Sequence, residues 1–132
     1  MSIKLKSLVP GPKYSGVLLN EESHKKLIDL YKNQIPDSWN FYAHHMTINP
    51  FGLVPHEMVG KNVNLKITHF GKSDKGFAVK VSGFEGKTNN AFPHITVAVN
   101  IIGGGKPKDS NSITEWTEDK NNVSLNGTIQ NI

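Results

Sequence analysis

Cysteine is absent from the 132 residues. No disulfide, thiolate nucleophile or cysteine–zinc site can form. Arginine is absent too, since all 15 basic residues are lysine. Bidentate guanidinium clamps on phosphate are thereby excluded, and lysine, hydroxyls, backbone N–H groups or histidine must serve instead. No apolar run approaches the roughly 20 residues of a membrane helix. The N-terminal "MSIKLKSLVPGPKYSG" has too short an apolar stretch for a signal peptide. A cytoplasmic protein with no membrane association is expected, and nothing points to a protein partner. The missing arginine and the frequent asparagine fit an AT-rich genome, such as that of some phages or bacteria.

The composition, 36% hydrophobic and 20% charged, is that of a globular chain. Its length suits a single domain over residues 1–132. The net charge of +4 suits an anionic partner, although the lysines are scattered rather than gathered into a tail.

Alternation and turn signals predict strands at 14–20, 40–49, 63–71, 76–84, 92–101 and 123–132. The pair 63–71 and 76–84 reads as a hairpin around "KSDK". One helix is clear: Asn20 can cap "EESHKKLIDLYKNQ", Leu27, Leu30 and Tyr31 share a face, and Pro36 stops it. A short second helix is expected near 110–118. The fold class is α+β, with a mainly antiparallel sheet and one or two helices.

Two short stretches carry the chemistry. In "AHHMTINPFG" (43–52), alternation places Ala43, His45, Thr47 and Asn49 on one face and Tyr42, His44, Met46 and Ile48 on the more apolar, core-facing side. In "FPHITVAV" (92–99), Pro93, Ile95, Val97 and Val99 are wholly apolar, and Phe92, His94, Thr96 and Ala98 oppose them. Each strand buries one face and offers an imidazole and a hydroxyl two residues apart on the other. An unperturbed histidine titrates near 6.5, so one imidazole can be neutral while the other is protonated. The neutral one takes a proton from a nucleophile and the charged one gives a proton to a leaving oxygen. The threonines can donate to non-bridging phosphate oxygens as charge builds there. Phosphodiester cleavage fits this set, because attacking and departing atoms are both oxygens. No metal or other cofactor is required. No H-E-x-x-H spacing or G-x-S-x-G elbow occurs.

The paired "HHMTI" (44–48) and "PHITV" (93–97) resemble the two H-x-T/S signatures of the 2H phosphoesterase superfamily. That superfamily includes LigT-like RNA cyclic phosphodiesterases, the phosphodiesterase lobe of fungal and plant tRNA ligases, and phage nucleases that destroy cyclic-oligonucleotide signals. The resemblance implies a two-lobed fold around a central cleft, with His45 and His94 as the acid/base pair and Thr47 and Thr96 on the phosphate. It implies a metal-independent phosphodiesterase acting on an RNA 2′,3′-cyclic phosphate or a cyclic (oligo)nucleotide. "KPKDSN" (106–111) is similar to a loop after the second motif in the tRNA-ligase branch. Lys106, Lys108, Ser110 and Asn111 are candidate substrate contacts, as are Phe92 and Tyr14 for stacking on a base. His24 is expected to face solvent, and His56 and His69 to sit near loops. Two other readings stand beside the main one: a phage-type nuclease that degrades cyclic-oligonucleotide defence signals, and a non-catalytic nucleotide- or RNA-binding module.

Overall fold

The computed structural model describes residues 12–86 and 88–132. The N-terminal stretch, where no signal peptide is expected, lies largely outside them. Strand β1 (Ser15–Leu19) leads into helix α1 (Glu21–Tyr31). The Asn20 side chain accepts from the Ser23 N–H at 2.8 Å, and Glu21 and Glu22 occupy the positive first turn. The helix tightens into a 3₁₀ turn at Lys32–Gln34 before Pro36. There follow β2 (Asn40–Phe41), β3 (His45–Asn49), β4 (Asn62–Lys72), β5 (Gly76–Ser82), β6 (His94–Val99), β7 (Trp116–Glu118) and β8 (Ser124–Asn131).

Pairing runs β6-β3-β1-β8-β4-β5, and β5 returns to β6, all antiparallel. The six strands expected from the sequence thus close into a barrel, which leaves none of them a free edge along its whole length. Val17, Met46, Ile95, Val79, Leu65 and Leu125, all 0% exposed, belong to the buried apolar cluster. Leu27 and Tyr31 bring α1 onto the same cluster, and Leu30 is only partly buried. The α+β class with a mainly antiparallel sheet is as expected. No helix among the described residues is long and apolar enough to cross a membrane.

Two local expectations fail. Residues 110–118 do not form a helix: a 3₁₀ turn at Pro107–Ser112 is followed by β7, which pairs with β4. The reason is tertiary. Gly71 of β4 offers no side chain, and an added Cβ would lie 2.7 Å from the Trp116 ring. That contact draws Trp116 onto β4 as a strand. Nor is 40–49 a continuous strand. Phe41 pairs with Ala98, yet Met46 pairs with Ile95, so five steps on one strand face three on the other. The surplus is a bulge at Ala43 and His44, with Ala43 at φ +58°.

Candidate active site

The motif strands β3 and β6 are neighbours, matched antiparallel at Met46 and Ile95. That single rung is flanked by His45 and Thr96 on one side and by Thr47 and His94 on the other. Met46 and Ile95 turn into the barrel at 0% exposure, and the two His-x-Thr pairs turn to the opposite face, where His94 keeps 6% exposure and the other three are half-buried. A local two-fold axis therefore relates the pairs, with the imidazoles on one diagonal and the hydroxyls on the other. The two imidazoles are near enough for the His94 charge to act on His45. All four residues line one cleft of about 590 Å³.

The neighbours of each residue are specific. His94 Nδ1 lies 3.0 Å from the Phe92 carbonyl oxygen. A carbonyl can only accept, so Nδ1 carries the hydrogen and Nε2 is the nitrogen left for proton exchange. Burial pushes the His94 imidazole below the usual histidine value, and the Phe92 carbonyl partly opposes this. Burial also lowers His45, and the charges of His44 and His94 lower it further. The His45 ring lies against Tyr14, 5.5 Å between centroids. It passes over Gly16, where a Cβ would lie 2.7 Å from the Met46 carbonyl oxygen and 3.5 Å from His45 Cδ2. Gly16 thus makes room beneath the ring. Its role rests on a strand contact invisible in the sequence.

Loops brace both motif strands. The Thr88 hydroxyl donates to the Thr47 carbonyl at 2.8 Å, and Asn89 N–H donates to the Ile48 carbonyl at 2.8 Å. Thr96 Oγ1 lies 2.8 Å from Ser110 Oγ and donates to the Pro107 carbonyl at 3.3 Å. When Ser110 donates to Thr96, the Thr96 hydrogen can exchange its long bond to Pro107 for one to a bound oxyanion. Ser110, only 1% exposed, is placed to orient Thr96 rather than to touch a ligand.

The other candidates divide. Tyr14 lines the cleft; Phe92, Lys106, Ser110 and Asn111 are not among its lining residues. Asn111 Nδ2 bonds the Lys108 carbonyl, and the Lys106 backbone N–H bonds Asp109. Of that loop's four candidates Lys108 is the one in the cleft wall, where it supplies a cation. Phe92 packs instead against His94, Trp116 and the Lys80 ammonium, at 5.2, 5.3 and 4.8 Å. It holds the back of His94. His56 and His69 lie outside the cleft lining, and His69 Nδ1 bonds Thr68.

Two expectations about histidines are corrected. His44 does not face the core. The bulge reverses the alternation, leaving Ala43 at 0% exposure and His44 exposed in the cleft wall. His24 does not simply face solvent. Its Nδ1 meets the Ala43 carbonyl at 2.9 Å, and its ring stacks on His44 at 4.5 Å and 8°. Asn90, Tyr42 and Leu18 also line the cleft, and no sequence motif singled them out.

Among the described residues, no group of three or more His, Cys, Asp or Glu side chains is arranged to hold a metal ion. Comparison with known proteins finds no matching family model, curated protein or solved structure.

Proposed function

We propose that this chain is a metal-independent phosphodiesterase of the 2H type, hydrolysing an RNA 2′,3′-cyclic phosphate or a cyclic nucleotide. The observation that carries the reading is the Met46–Ile95 register, which gathers His45, Thr47, His94 and Thr96 on one cleft wall. The two-lobed architecture implied by the resemblance belongs to the same proposal, supported by the local two-fold relation between the motifs. A cytoplasmic site of action belongs to it as well.

His45 and His94 divide the proton work. Every influence on the His45 pKa acts downward, which favours the neutral imidazole and the role of general base. The carbonyl on His94 Nδ1 stabilises the imidazolium, which favours the role of general acid. Water attacks phosphorus as His45 takes its proton. The ester P–O bond breaks as His94 Nε2 protonates the departing ribose oxygen. Thr47 and Thr96 donate to the non-bridging oxygens, and Lys108 adds positive charge at the wall. Hydrolysis yields one phosphomonoester from a cyclic phosphate, or a linear product from a cyclic oligonucleotide. The second of these would make the chain a nuclease of cyclic defence signals.

The test is incubation of the protein with each substrate class in the presence of EDTA, followed by chromatography. Product is expected from at least one class. His45→Ala and His94→Ala should each lose about 10²–10⁴-fold in rate while keeping much of the affinity. Turnover of neither class, or turnover abolished by EDTA, overturns the reading. Nucleotide binding without any turnover identifies the non-catalytic binding module instead.

A further inference from the structure

One end of the cleft is not used by the two-histidine chemistry. There the Ala43–His44 bulge turns the His44 ring out of the strand and into the cleft wall. The bulge is held on two sides: Leu19 N–H donates to the His44 carbonyl at 2.8 Å, and His24 Nδ1 holds the Ala43 carbonyl at 2.9 Å. His24 therefore has a fixed ring, and that ring lies parallel to His44, 4.5 Å away. Leu18, 41% exposed on β1 opposite His45, and Tyr42 line the same cleft. Together they make an apolar, flat-walled recess one residue from the reacting centre.

We propose that His44, backed by His24, is a stacking platform for a nucleobase of the bound substrate. It rests on the reading of the cleft as a nucleotide site, and it adds that the base, not only the phosphate, is recognised. A base laid on the outer face of His44 completes a three-layer stack whose lower two layers are already assembled, so little order is lost on binding. An anion clamp is the competing use of an exposed imidazole. Burial and the facing His24 both lower the His44 pKa, which keeps the ring uncharged near neutrality and disfavours that use.

The test follows the histidine ring resonances of the full chain by NMR during titration with adenosine 5′-monophosphate, and separately with ribose 5-phosphate. Adenosine monophosphate should shift the His44 ring protons upfield, and ribose 5-phosphate should not. His44→Ala should weaken adenosine monophosphate about 5- to 150-fold, the range of one base–aromatic stack, and ribose 5-phosphate far less. His44→Phe, which keeps a flat ring, should restore the affinity. Unmoved His44 resonances, equal losses for both ligands, or a folded Phe variant as weak as Ala each overturn the inference. Stacking on His44 without phosphodiester turnover removes the proposed hydrolysis and leaves the platform. Turnover with no His44 shift does the reverse.

Discussion

A single carbonyl oxygen governs the state of His94. Phe92 accepts from Nδ1, and Nε2 is left toward the cleft. No carbonyl among the described residues bonds the His45 ring, which sits over Gly16 and the space it leaves. Both imidazoles are held below the ordinary histidine range, by burial first. The reaction needs one neutral and one protonated ring. The kcat/KM profile of the free enzyme should therefore be bell-shaped, with its maximum on the acid side of about pH 6.5. A maximum near pH 8 would contradict the assignment. Gly16→Ala tests the fit beneath His45. Its methyl group meets backbone at 2.7 Å, so β1 or β3 must shift and His45 with it. A loss of about 10-fold or more in kcat, with KM little changed, is expected on steady-state kinetics.

At the level of elements, the bulge between β2 and β3 and the clamp on α1 do the positioning. Ala43 adopts a left-handed backbone that costs an L-residue about 1–2 kcal/mol. Ala43→Gly relieves that strain but removes a buried methyl worth about 0.8 kcal/mol. Its stability should stay within about 1 kcal/mol of the parent in urea unfolding. Ala43→Val, β-branched at the same φ, should lose about 2 kcal/mol or more and disturb the His24–His44 stack. The helix is tied down by the buried Tyr31 hydroxyl, which donates to the Asp119 carboxylate. Burial and that carboxylate push the Tyr31 phenol far above its ordinary value, so the phenol keeps its proton for the bond. Tyr31→Phe leaves a nearly buried carboxylate short of a donor and should cost about 1–3 kcal/mol in the same assay.

The barrel as a whole couples folding to the same protons that catalysis moves. The unfolded chain takes up protons on His45 and His94 near pH 6.5, and the folded chain takes them up only at lower pH. Their contribution is complete above about pH 6.5 and is lost as the pH falls through that value toward the folded pKa values. Thermal unfolding should show a lower midpoint at about pH 5 than at about pH 7.5, with a smaller drop in His94→Gln. An equal drop in that variant would assign the acid sensitivity elsewhere. The closed sheet also ties α1, the bulge and both motif strands into one body.

The alternation of apolar residues in "PHITVAV" and "HMTIN" was enough to put His45, Thr47, His94 and Thr96 on the faces turned away from Met46 and Ile95, because side-chain direction in a regular strand follows from sequence parity. The Asn20 cap, the hairpin around residues 72–75 and the six barrel strands were legible for the same reason: their causes lie within a few neighbouring residues. His44, His24, Gly16 and β7 were not. A bulge breaks parity without leaving a composition signal, and Ala43 is an unexpected residue at positive φ. Gly16 and Gly71 matter for atoms that arrive from distant parts of the chain. The meeting of the two motifs is of that kind as well. Each strand dictated which way its own side chains point, but the pairing of Met46 with Ile95 came from closure of the barrel, where non-local burial outweighs local preference.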